Sequence, residues 1–107
     1  MKLDMVLMRE ILQALEAKGS LEWVPAPEIK GYSEEAISYH LELLQEREYI
    51  QAKNLKGTTE WAVKGLTWKG DDFLKSLKGD TVWSKVKDLD NFLEVVKIVA
   101  TVARVIF

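Results

Sequence analysis

Apolar residues in the first segment recur at helical spacing. Met5, Met8, Leu12 and Leu15 mark one stripe, and Ile11 widens it. Asp4 is the expected N-cap and Gly19 the stop. A second patch, Leu3, Val6 and Leu7, lies on the opposite side, so the start of this helix is apolar nearly all round and requires a cover. Residues 21–30, LEWVPAPEIK, hold both prolines and predict extended chain or one short turn, because proline lacks a backbone donor and restricts its predecessor. Gly31 then turns the chain. Ser33 is the expected cap of a second helix, with Glu34 and Glu35 in the first turn, where the helix dipole favours acids. Ile37, Leu41 and Leu44 form its buried stripe, flanked by His40.

The period next changes from helical to strand-like. Tyr49–Lys53 and Trp61–Lys64 predict two short strands, and the polar loop between them contains Gly57, so residues 49–64 predict a hairpin. Thr67 is placed to cap a helix with Phe73, Leu74 and Leu77 inward. Gly79 stops that helix, and Asp80 is expected to cap the next, with Val82, Trp83 and Val86 inward. Residues 92–107 predict a last helix. Its polar residues Asp90, Glu94, Lys97, Thr101 and Arg104 follow at spacings of 4, 3, 4 and 3, one narrow stripe on an otherwise apolar surface. Sixteen residues give about 24 Å of helix, short of the ~30 Å of a bilayer core, so a membrane span is not expected. The expected resting place of this helix is the patch of Leu3, Val6 and Leu7, met by Val96, Val99 and Ala103, within one chain or across a homodimer.

A length of 107 residues fits one domain, here residues 1–90 with an added helix over 91–107. The chain has no cysteine and a single histidine, which removes disulfides, thiolate metal sites and cysteine nucleophiles. No metal, cofactor or enzymatic activity is expected: Asp71 and Asp72 diverge as helix neighbours, and His40 has no second ligand of its kind. The charged N-terminus MKLDMVLMRE is not a signal peptide, so the expected location is the cytoplasm. The net charge is -2, but unevenly spread: residues 1–49 carry five basic and ten acidic side chains, residues 50–107 ten and seven. Attraction to phosphate therefore has to come from the second half.

The strings Gly31-Tyr32-Ser33, Tyr39-His40-Leu41, Leu43-Leu44 and Tyr49-Ile50, with Ile37 between, resemble the recognition-helix signature of bacterial winged-helix regulators. Leu66-Thr67-Trp68-Lys69-Gly70 looks like the strand-to-helix step after the wing in those proteins. With Asp80-Thr81-Val82-Trp83-Ser84-Lys85 added, the whole is similar to a small phage- and prophage-associated family of unknown function, over roughly residues 1–90. The helix that usually precedes the recognition helix is here shortened or replaced by the proline segment. The resemblance implies an α+β, mostly helical fold: a winged helix-turn-helix with a two-stranded wing and an added apolar C-terminal helix. It also implies a dimeric DNA-binding regulator of phage or bacterial type.

On that reading Ser38 and Tyr39 are the helix contacts to double-stranded DNA, and Lys53, Lys56, Thr58 and Lys64 the wing contacts, with Lys69 nearby. Helical spacing puts Glu35, Ser38, Tyr39, Glu42 and Glu46 outward, and carboxylates there repel phosphate. That acidic face supports the alternative, a winged helix used for protein–protein contact, such as a phage accessory protein binding a host factor. Trp61, Trp68 and Trp83 are expected in core and wing packing, with Trp23 the most exposed tryptophan.

Overall fold

The computed structural model describes the backbone of residues 2–106 and the side chains of residues 2–102. Among the described residues five helices and a three-stranded antiparallel sheet form an α+β fold, about half of it helical. Their order is α1 (Met5–Ala17), β1 (Val24–Pro25), α2 (Glu34–Glu46), β2 (Ile50–Asn54), β3 (Trp61–Leu66), α3 (Trp68–Leu77), α4 (Asp80–Val86) and α5 (Phe92–Ile106).

Helix α1 begins where Asp4 Oδ1 accepts from the amides of Val6 and Leu7, two donors with no partner inside the helix. It packs on β3, α3 and α2. Met5, Leu7, Met8, Ile11 and Leu12 are fully buried, so both apolar sides of the helix are used, and only Val6 of the second patch stays half-exposed. Ser33 caps α2 by accepting from the Ala36 amide, and Thr67 caps α3 by accepting from that of Gly70. Asp80 does not cap α4. It is the first helical residue and Gly79 stands at the cap without a side-chain bond, so the carboxylate acts there only through the helix dipole.

The sheet order is β1-β3-β2. Strand β1 lies inside the proline segment and is a strand of two residues, pairing Val24 with Val63 and Pro25 with Ala62. The Ala26 amide donates to the Trp61 carbonyl at 3.0 Å. Since bonding alternates along an antiparallel pair, Pro25 occupies a position facing away from β3, where its missing N–H leaves no gap in the ladder. On the other margin a bulge interrupts β2 between Gln51 and Ala52, and Gln45 Nε2 donates to the Ala52 carbonyl at 2.7 Å. Along β3, Trp61 and Val63 point into the core, while Ala62 and Lys64 lie on the opposite face, partly exposed.

Helix α5 rests on α3 and α4 rather than on the Leu3, Val6 and Leu7 patch, which α1's own neighbours cover. Among its described side chains Val95 and Val99 are buried. Phe92 stands edge-on to Phe73 and Tyr49, which stack on each other with centroids 4.6 Å apart. Trp68 is 74% exposed against 43% for Trp23, contrary to the expected order. It lies about half a turn from the buried stripe of Phe73, Leu74 and Leu77, so the rest of α3 carries it outward. Trp83 is half-buried beneath the Arg9 guanidinium, 3.6 Å from the ring centroid.

His40 joins the first two helices. It is 1% exposed. Its Nδ1 lies 2.7 Å from the Ala36 carbonyl, and its Nε2 accepts from the Asp4 amide at 2.9 Å. A carbonyl on one side and an N–H on the other fix the neutral ring with its proton on Nδ1. Tyr32 completes the network by donating to Asp4 Oδ2 at 3.0 Å.

Candidate nucleic-acid interface

Gly31, at φ 91°, turns the chain into α2, and Ser33 starts it. Ile37, His40, Leu41 and Leu44 face inward, which leaves Glu35, Glu42 and Glu46 exposed on the outer side. Ser38 is half-buried rather than outward: its Oγ accepts from the indole N–H of Trp61 at 2.8 Å, which ties α2 to β3. The bulky indole of β3 closes over the helix there and takes up the hydroxyl oxygen. Tyr39 is also half-buried, edge-on to His40 with centroids 5.4 Å apart.

The hairpin loop is held by its own polar groups. Asn54 Nδ2 donates to the carbonyls of Thr58 and Glu60, and Gly57 takes φ 81°. Thr58 Oγ1 donates to the Leu55 carbonyl and accepts from the Glu60 amide, so that hydroxyl builds the loop. Lys56 is exposed at the tip. The pairing of Lys53 with Ala62 places Lys53 on the outward face of the sheet, the face that Lys64 shares. Lys53 Nζ stands 4.5 Å from the centroid of the Trp23 ring. Lys69 is engaged elsewhere, 3.8 Å from the Glu48 carboxylate.

The structure therefore brings Lys53, Lys64 and Trp23 to one sheet face, with Lys56 beyond them at the tip. Ser38 and Tyr39 lie on the helix behind the hairpin. The place of Trp23 in this group depends on the β1–β3 register, which no local pattern in the proline segment announces. Among the residues assigned to dimer contact, Leu3, Leu7 and Val99 are buried within the chain, Val6 and Val96 are partly exposed, and the side chain of Ala103 lies outside the described residues. Among the described residues no three metal-ligating groups come together, and no helix is long and apolar enough to cross a membrane.

No solved structure matches the chain. The family model described as "Hypothetical protein (DUF2513)" matches residues 2–92, from just before α1 to the first residue of α5. An uncharacterized protein of Haemophilus influenzae is 34% identical over 109 residues, covering 94% of this chain and 92% of that protein. The chain thus belongs to the DUF2513 family.

Proposed function

We propose that the chain is a winged helix that binds double-stranded DNA, as a transcriptional regulator of phage or bacterial type. The observation that carries the reading is a capped helix, α2, running straight into a hairpin that bears Lys53, Lys56 and Lys64, in a sheet ordered β1-β3-β2. The lysines take phosphate oxygens and release counterions. Helix α2 adds little to that attraction, because Glu35, Glu42 and Glu46 face solvent. The test is binding to random duplex across a range of salt. Three phosphate contacts predict a slope of log affinity against log salt of about -3. Lys53→Ala and Lys56→Ala each lower that slope by about one and weaken all sequences alike. Tyr39→Ala instead changes the preference among sequences, and Glu35→Gln or Glu42→Gln tightens non-specific binding. A slope near zero in the unaltered chain overturns the reading.

The acidic outer side of α2 favours a second reading, a winged helix that contacts a protein. In either case α5 offers a surface for a second copy: Leu93 is 53% exposed, Ala100 is exposed, and Val96 and Ile98 are half-exposed. Light scattering should give a dimer mass that Leu93→Glu reduces to that of a monomer. A monomer in the unaltered chain removes the dimer from the proposal.

A further inference from the structure

Between the proline segment and the base of the hairpin lies a groove of about 550 Å³. Trp23, Pro25, Pro27 and Trp61 supply its apolar lining. Three carboxylates share that lining, Glu28, Glu34 and Glu60, and no lysine or arginine does. They come from the proline segment, the first residue of α2 and the end of the hairpin loop, so the fold rather than a charge run gathers them. Four acids elsewhere are in ion pairs: Glu16 with Lys78, Glu48 with Lys69, Asp71 with Lys75, and Asp90 with Lys2. Among the described residues none of the three groove carboxylates is in an ion pair. Glu34 accepts from the Thr59 hydroxyl at 3.5 Å.

From this we infer that the groove docks an extended segment of a partner protein carrying arginine or lysine. A volume of about 550 Å³ holds a few side chains rather than a folded domain, and the charge of the groove is complementary to a cation flanked by apolar surface. Trp23 already holds a cation, the chain's own Lys53, over its ring, which shows that this indole accepts an ammonium group at contact distance. An arriving guanidinium meets the same ring chemistry with carboxylates beside it and reaches them with its planar fork of donors. Proline and tryptophan walls are rigid, so the groove loses little conformational freedom when it is filled.

The experiment is titration calorimetry of the full chain, without DNA, against an octapeptide of alternating arginine and proline, at physiological salt. The corresponding glutamate–proline octapeptide is the comparison. Saturable one-to-one binding of the arginine peptide alone is expected, with a change in tryptophan emission. Glu28→Gln combined with Glu60→Gln should weaken binding about five- to tenfold, as loss of two partly exposed ion pairs does. Trp23→Ala should weaken it by a similar factor. Glu10→Gln combined with Asp88→Asn removes the same charge from exposed positions outside the groove and should change affinity less than about twofold. Absence of arginine-peptide binding overturns the proposal, and so does equal weakening by the two charge-removing pairs. Because no DNA is present, either result leaves the DNA reading to its own test.

Discussion

Gly70→Ala is expected to destabilise the chain by on the order of 4 kcal/mol or more, enough to leave much of it unfolded at room temperature. A Cβ at position 70 would stand 1.8 Å from the carbonyl oxygen of Tyr49 and 2.8 Å from its carbonyl carbon. Both atoms are backbone, so no rotamer change relieves the clash. The carbonyl is also held in place, accepting from the Thr67 amide at 3.0 Å, while Thr67 Oγ1 donates to the Glu48 carbonyl at 2.6 Å. The residues before β2 and the start of α3 are thus joined through the space that a methyl group would take. To admit it, α3 must move away, which parts Phe73 from Tyr49 and loosens the shelf on which Phe92 rests. Gly65→Ala is the matched control. Nothing lies within 4 Å of the Cβ it would add, and a strand glycine replaced by alanine is stabilising by about 0.5–1 kcal/mol where space allows. Chemical denaturation of the two variants checks the contrast, and a Gly70→Ala chain as stable as the Gly65→Ala chain would refute it.

His40→Leu is expected to cost about 2–3 kcal/mol and to change how stability depends on pH. Leucine fills most of the space but leaves the Asp4 amide without the bond the ring makes, and an unpaired buried group costs about 1–3 kcal/mol. Burial lowers the His40 pKa, and the Ala36 and Asp4 groups offset this only in part. Protonation would also set an N–H against the Asp4 amide N–H. A histidine held neutral contributes stability that is full above its unfolded pKa of about 6.5 and is lost as pH falls below it, through the lowered folded value. The slope from one such group is at most about 1.4 kcal/mol per pH unit. Urea denaturation between pH 7.5 and pH 5 should show stability falling with acid in the unaltered chain. The His40→Leu chain should lack that component, and parallel curves would remove His40 as its source.

Much of this architecture is written in local pattern. The caps Asp4, Ser33 and Thr67, the strands around Gly57 and the apolar run of α5 each follow from residues within a few positions of one another. What the sequence hides is long-range. Strand β1 is two residues inside a proline segment, visible only once β3 lies beside it. The Asp4–His40 bond spans 36 positions, and the indole of Trp61 reaches back 23 to find Ser38. Gly70 looks like an ordinary glycine in a helix until Tyr49 is laid against it. The exposure of Trp68 is a case of a legible pattern passed over, since its helical phase relative to Phe73 and Leu77 already points it outward. For the interface, the lysines were legible as charges, but their division between sheet face and loop tip depends on the β2–β3 register. The groove carboxylates sit 6 and 26 positions apart along the chain and form no motif.

The two margins of the sheet carry a consequence for what this molecule does in a crowded solution. On one side Pro25 offers an incoming strand no hydrogen at the place where it would bond, and on the other the bulge and the Gln45 amide spend the acceptor at Ala52. Neither margin is a template for a fourth strand. The sheet therefore stays at three strands, and open-ended stacking into fibrils has no seed here. The chain can sit at high local concentration without its sheets fusing edge to edge.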